Sequence, residues 1–371
     1  MEKRKRKVKN KRKTIMRLSL VIIGLLALVA LGVLGALTII KNRSVAQATL
    51  VEQSFNSSDQ YVYTGTGFFY LQGDTLTYED KANSRNNYKG QITTQAVSLL
   101  GSADMLVIYN DISIKVIGEE FPVEFSGALR SVTCGNGYIA ALRADTNGNE
   151  TILVIDSTGA KYDEIPVQNQ YIVSYGFFSA DGEYLYVLGL TLDSSTPLST
   201  ITVYNISRKT TSGMMSVQSQ LVESMRFSKS SIYAVGTNSI IRFSLADNNE
   251  SYRATVYGWR ELDYDSSTAN PSFLLCPRSS SALNTVKILQ LSDTKVATST
   301  EKMLQLPSGT KEAFLMNGRL VAVSELGYTV YDYAGKKLSY VEFPSMIDSV
   351  EKLDGTQLLI TAGNHVYTTK V

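Results

Sequence analysis

One histidine, two cysteines, one tryptophan and seven prolines are spread over 371 residues, and each scarcity removes a class of chemistry. With His365 alone, no His-rich metal cluster can form and a His-dependent triad has a single candidate. His365 lies in Asn364-His365-Val366-Tyr367, at the start of a strand pattern, which makes it structural. Cys134 and Cys276 each end an apolar run, Val132-Thr133-Cys134 and Leu274-Leu275-Cys276. They read as buried small hydrophobes, and a disulfide would need the fold to bring two distant positions together. No Cys-x-x-Cys pair, P-loop or Gly-x-Ser-x-Gly elbow occurs. No cofactor and no metal is therefore expected.

Charge is missing where it would matter most. Leu18 to Ile40 carries none, and an apolar stretch of about 20 residues crosses a hydrocarbon core of about 30 Å. Before it runs a basic segment with Lys3, Arg4, Lys5, Arg6, Lys7, Lys9, Lys11, Arg12, Lys13 and Arg17, while only Lys41 and Arg43 follow closely. The pattern predicts a cytoplasmic tail (1–17), a transmembrane helix (18–40), a short linker (41–47) and an extracytoplasmic domain (48–371), by the positive-inside rule. The tail would also meet anionic lipid headgroups. Ala46-Gln47-Ala48 offers a signal-peptidase site as the rival reading. The apolar core is longer than the 7–15 residues or so of a signal peptide, and Lys41 and Arg43 intervene, so retention as an anchor is preferred. No cysteine follows the apolar segment that could carry a lipid.

Outside Met1 to Arg43 there remain 24 Lys and Arg against 33 Asp and Glu, a net of about −9. A domain of that sign makes a poor nucleic-acid binder, and none is expected.

What fills positions 48–371 is short strands and turns. Met105 to Tyr109 reads as a buried strand, Asn110-Asp111 as a turn, and Ile112, Ile114 and Val116, then Phe121, Val123 and Phe125, as alternating strands of a meander. Glu312 to Phe343 repeats the unit with turns at Asn317-Gly318, Gly327 and Gly335. Val154-Ile155-Asp156 with Gly159 and Lys161 matches Val330-Tyr331-Asp332 with Gly335 and Lys337; Asp caps the turn and Gly takes positive φ. Eight such units fit, Tyr61–Gly90, Gln95–Ser126, Leu129–Gln168, Tyr171–Val222, Glu223–Gly258, Trp259–Pro307, Thr310–Pro344 and Ser345–Val371. The last has room for about three strands, and Ala48–Phe55 is expected to supply its fourth and close a ring. Four-stranded repeats of about 40 residues predict an all-β β-propeller of eight blades, with seven as the alternative count, preceded by one transmembrane helix.

Phe178-Ser179-Ala180-Asp181-Gly182-Glu183-Tyr184-Leu185-Tyr186-Val187 resembles the Phe-Ser-Pro-Asp-Gly-x-x-Leu-Tyr-Val element of lactonase-like and other seven- and eight-bladed bacterial propellers. The whole layout is similar to an uncharacterised family of single-pass, membrane-anchored envelope propellers of Gram-positive bacteria. That resemblance implies architecture and location, and no substrate. A lone Trp259 does not provide the repeated tryptophan docking of quinone-cofactor propellers.

The richest local cluster combines an aromatic platform, a guanidinium and three acids: Trp259, Arg260, Glu261, Leu262, Asp263, Tyr264 and Asp265. Trp259, Arg260, Glu261, Asp263 and Tyr264 form the candidate partner-binding patch. The bland reading makes Glu261, Asp263 and Asp265, spaced at period two, the solvent face of an outer strand. The twenty-two tyrosines are taken as sheet formers. The expected function is a non-catalytic binding or scaffold module for an envelope protein or glycan. The alternative is a carboxylate-dependent envelope hydrolase or lyase, which needs two acids about 5–9 Å apart.

Overall fold

The run Leu320-Val321-Ala322-Val323 has no polar face, and such a strand needs cover on both sides. The computed structural model, which describes residues 46–92, 97–125, 127–167, 170–178, 183–191, 196–292 and 298–371, shows that cover. Leu320 and Ala322 join a core with Leu274, Ile288 and Leu315, while Val321 and Val323 join Val330, Leu358 and Ile360. The pattern recurs throughout Ala48–Val371, one of the two compact units into which the chain divides, the other being Met1–Gln47.

Within Ala48–Val371 eight antiparallel sheets of four strands form the eight blades. Blades 1 to 8 begin with Gln60–Tyr63, Ser98–Ser102, Ala128–Gly135, Tyr171–Phe178, Val222–Phe227, Trp259–Asp265, Glu312–Met316 and Ser349–Lys352. Each of the eight seams between neighbouring blades is filled by its own apolar cluster. First strands of adjacent blades touch one another, as do Gln60–Tyr63 with Ser98–Ser102 and Trp259–Asp265 with Glu312–Met316. The first strand of each blade is thus the innermost, on the central channel.

The ring closes with strands from both ends of the unit. Val51–Asn56 pairs antiparallel with His365–Lys370 and becomes the outer strand of blade 8, as the terminal segments predict. Phe55, 2% exposed, seals that seam with its ring 4.7 Å from Tyr61 and 5.1 Å from both Phe68 and Tyr70. Tyr63 on blade 1 donates its hydroxyl to Asp354 Oδ2 on blade 8 at 3.1 Å. Burial, with that carboxylate, pushes the Tyr63 hydroxyl up to about 12. His365 opens the adjoining strand, exposed, with Nδ1 2.7 Å from Glu52 Oε1.

Turn chemistry follows the sequence. Asn317 and Gly318 take φ of 48° and 73°, the left-handed pair that a two-residue hairpin requires. Asp156 and Asp332 accept at Oδ1 from the backbone N–H of Ala160 (3.0 Å) and Lys336 (2.8 Å). Both cysteines are free, Cys276 buried and Cys134 half-buried; burial pushes the Cys134 thiol up to about 11.

Three expectations need correction and several lie elsewhere. Ile112 precedes the second alternating strand, Ser113–Val116, and is 61% exposed. Phe121 does not join the third alternating strand: that strand is Val123–Glu124, and Phe121 is 73% exposed. A glycine and a proline beside it, Gly118 and Pro122, break the ladder. The strand Trp259–Asp265 is the innermost of blade 6, not an outer one. The tail (1–17), the apolar segment (18–40), linker residues 41–45 and the motif positions Ser179 to Gly182 lie outside the described residues. Among the described residues no helix is long and apolar enough to cross a membrane.

Chain direction fixes two faces. Connections between blades and between second and third strands lie on one face, called upper here; the other turns lie on the lower face. Exposed large apolar side chains are unevenly divided between them. Ile112, Tyr171, Leu221, Tyr257, Leu326 and Met346 stand on or beside upper connections, whereas Phe121 stands on a lower one, Val51 and Leu338 stand at the lower ends of outer strands, and Val173, Met214 and Met303 lie along strands.

Candidate functional site

A bulge organises the strand that carries Trp259 and its neighbours. The register slips between Glu261 and Asp263, and an extra residue re-aims the side chains that flank it. Glu261 turns to blade 5, where its carboxylate accepts from Ser224 Oγ at 2.5 Å and from Arg226 Nε at 2.9 Å. Asp263 turns the other way. Its Oδ2 accepts from the backbone N–H of Leu315 on blade 7 and from Lys352 Nζ on blade 8, each at 2.7 Å.

Lys352 completes its coordination on the carbonyls of Leu315 (2.7 Å) and Tyr264 (3.2 Å). Burial works against the Arg226 charge, but Glu261 outweighs it and holds the guanidinium above its ordinary value. The two period-two acids are therefore ties between blades, each answering a cation across a seam.

Asp265 sits at the lower end, buried, accepting from the N–H of Gly318 (2.9 Å) and Ser267 (2.8 Å) and from the Tyr333 hydroxyl (3.0 Å). Burial alone would raise its carboxyl, yet these donors together hold it below the usual range. Tyr264 donates to the Phe227 carbonyl at 2.9 Å and packs its ring 4.9 Å from Phe273. Trp259 is half-buried at the upper end against the Tyr233, Phe273 and Leu289 core, with Lys287 Nζ 4.7 Å from its ring.

Of the five candidate residues, Arg260 alone is exposed. It opens onto a cleft of 440 Å³ between blades 6 and 7, bounded by the Arg278–Asn284 connection and by Gly309 to Glu312. Leu262, Leu283 and Cys276 form its apolar floor. Glu312 faces it from the first strand of blade 7, where burial raises the carboxyl above the usual range despite the nearby Arg260 charge. Beside the cleft, Arg278 closes a two-point pair with Glu223 on blade 5, at 3.0 and 2.5 Å.

The structure thus splits the sequence cluster into three: Trp259 and Arg260 at the upper rim, Glu261 and Asp263 in the channel wall, Tyr264 and Asp265 toward the lower face. Arg226, Lys352 and Glu312 complete these sites, and local sequence reasoning missed them.

The fold has clear counterparts among solved structures. It is similar to the WD40 domain of SCAP from fission yeast, with a TM-score of 0.54 and 9% identity over 87% of this chain and 94% of that one. It is also similar to Sqt1 of Saccharomyces cerevisiae, with a TM-score of 0.53 and 10% identity over 88% of this chain and 99% of that one. At such identities the likeness is one of fold. No protein-family model matches the sequence, and no curated protein is similar to it.

Proposed function

We propose that this chain is a membrane-anchored, extracytoplasmic β-propeller that serves as a non-catalytic docking module, with its upper face as the surface that takes a partner protein of the cell envelope. The observation that carries the reading is the division of exposed apolar side chains: Tyr171, Leu221, Tyr257, Leu326 and Met346 crown the upper side of blades 4 to 8, and Tyr257 is 78% exposed. Aromatic, leucine and methionine side chains beside arginines give the apolar core and charged edge that protein interfaces use. Apolar bulk of this kind favours a protein over a glycan. The anchor part rests on the uncharged run Leu18 to Ile40 and the ten basic residues before it.

Carboxylate catalysis in the channel finds less support. Glu261 and Asp263 are each engaged by a cation and by further donors, and a propeller hosts binding and catalysis alike. Replacing Tyr257, Leu326 and Met346 together by Ser in the full chain tests the docking face. Loss of cross-linked partner with an unchanged melting temperature supports it; undiminished cross-linking removes it.

A further inference from the structure

The cleft between blades 6 and 7 is chemically polarised. Its blade 6 wall presents donors: the Arg260 guanidinium, and the Ser281 hydroxyl and Asn284 amide of the connection that rims it. Arg260 also reaches the Cys276 thiol on the cleft floor, and among the described residues it closes no salt bridge. Its blade 7 wall presents acceptors. Thr310 gives its own hydroxyl hydrogen to the Pro307 carbonyl at 2.7 Å, which leaves its oxygen as an acceptor, and Glu312 lines the cleft with it.

Arg260 and Glu312 feel each other's charge, yet they do not meet in an ion pair. The other basic groups at this rim are already matched, Arg278 by Glu223 and Lys311 by Glu325. Opposite charges held apart on the two walls of the cleft, both on exposed residues, offer a ligand carrying both signs one partner at each end. The floor of Leu262 and Leu283 gives such a ligand an apolar contact.

We infer that this cleft binds a free α-amino acid with an aliphatic side chain, its carboxylate on Arg260, Ser281 and Asn284, its ammonium on Glu312 and Thr310, and its side chain on Leu262 and Leu283. Donors on one wall and acceptors on the other read both ends of the zwitterion, and a planar guanidinium suits the carboxylate. A volume of 440 Å³ lies within the range of small-molecule sites, about 300–1,000 Å³. The ammonium would also offset the burial that raises the Glu312 carboxyl, since an adjacent positive charge favours the ionised form. This site opens on the same upper face, but Tyr257, Leu326 and Met346 are not among its lining residues, so serine replacements there remove none of its groups.

The test uses the full chain and three probes: L-leucine, isovalerate (the carboxylate without the ammonium) and isoamylamine (the ammonium without the carboxylate). Ligand-observed NMR titration should show leucine binding, with each half-ligand about tenfold weaker or more, the scale of one lost charge-assisted hydrogen bond. Arg260→Gln should abolish leucine binding, and Glu312→Gln should remove the preference for leucine over isovalerate while isovalerate still binds. Should Arg260→Gln fail to fold, the Ser281→Ala/Asn284→Ala variant replaces it, with a tenfold or so weakening expected. No leucine binding by the folded chain up to millimolar concentration, isovalerate binding as tight as leucine, or leucine binding unchanged in these variants would each overturn the proposal.

Discussion

Lys352, on the innermost strand of blade 8, reaches across blade 7 to place its Nζ 2.7 Å from Asp263 Oδ2 on blade 6. One side chain thereby ties three blades, because the same ammonium also meets the Leu315 carbonyl of blade 7. With the two side chains 19% and 16% exposed, the pair is shielded but not dry. Lys352→Met leaves Asp263 without its cation and should destabilise the domain by about 2–3 kcal/mol, below the 3–5 of a fully buried pair. Denaturant unfolding reads this directly. A double variant with Asp263→Asn should lose less than the two single losses added together, as groups in contact do.

Ring closure rests on a second local cause, the Phe55 ring among Tyr61, Phe68 and Tyr70. Phe55→Ala should cost about 3–5 kcal/mol, the scale for a buried aromatic truncated in a core. Removal of Val51–Asn56 should go further and expose the edge of His365–Lys370, giving aggregation visible by light scattering. A melting temperature unchanged by either alteration would mean that the ends of the unit do not hold the ring.

Acid sensitivity follows from the carboxylates. Asp265 has its folded-state pKa depressed by its donors, so the stability it contributes is present above the unfolded value of about 3.9 and is lost as pH falls through the lower folded value. Asp156 and Asp354 are depressed in the same sense, burial again being outweighed by turn donors. The melting temperature should therefore fall below about pH 4, and Asp265→Asn should lower it at pH 7 by the equivalent of about 1–3 kcal/mol while making the acid loss shallower.

Membrane topology is open to chemical labelling. In a Cys134→Ser, Cys276→Ser background, Lys370→Cys should react with a membrane-impermeant thiol reagent in intact cells and Lys13→Cys should resist it. The reverse pattern would end the anchor argument.

Blade number and ring closure were legible because both follow from local rules. Continuous apolar runs such as Leu320 to Val323 announce strands covered on both faces, and Asn317-Gly318 announces a hairpin through backbone sterics. The candidate site was less legible. Alternation at Glu261, Asp263 and Asp265 tells which residues share a face, but not which of four strands in a blade holds them. A bulge then sent Glu261 and Asp263 to different neighbours. Their partners Arg226 and Lys352 lie 35 and 89 residues away, a separation that no local pattern encodes. Glu312 opposite Arg260 belongs to the same class, joined only when two innermost strands come side by side.

The central claim, that the upper face docks a protein partner, is tested most directly by site-specific photocross-linking in intact cells. A photoreactive residue placed at Tyr257 or at Met346 should yield a discrete covalent adduct with another protein, while the same residue at Phe121, the exposed aromatic of the lower face, should yield none. Adducts at Phe121 with none at Tyr257 and Met346 would contradict the account.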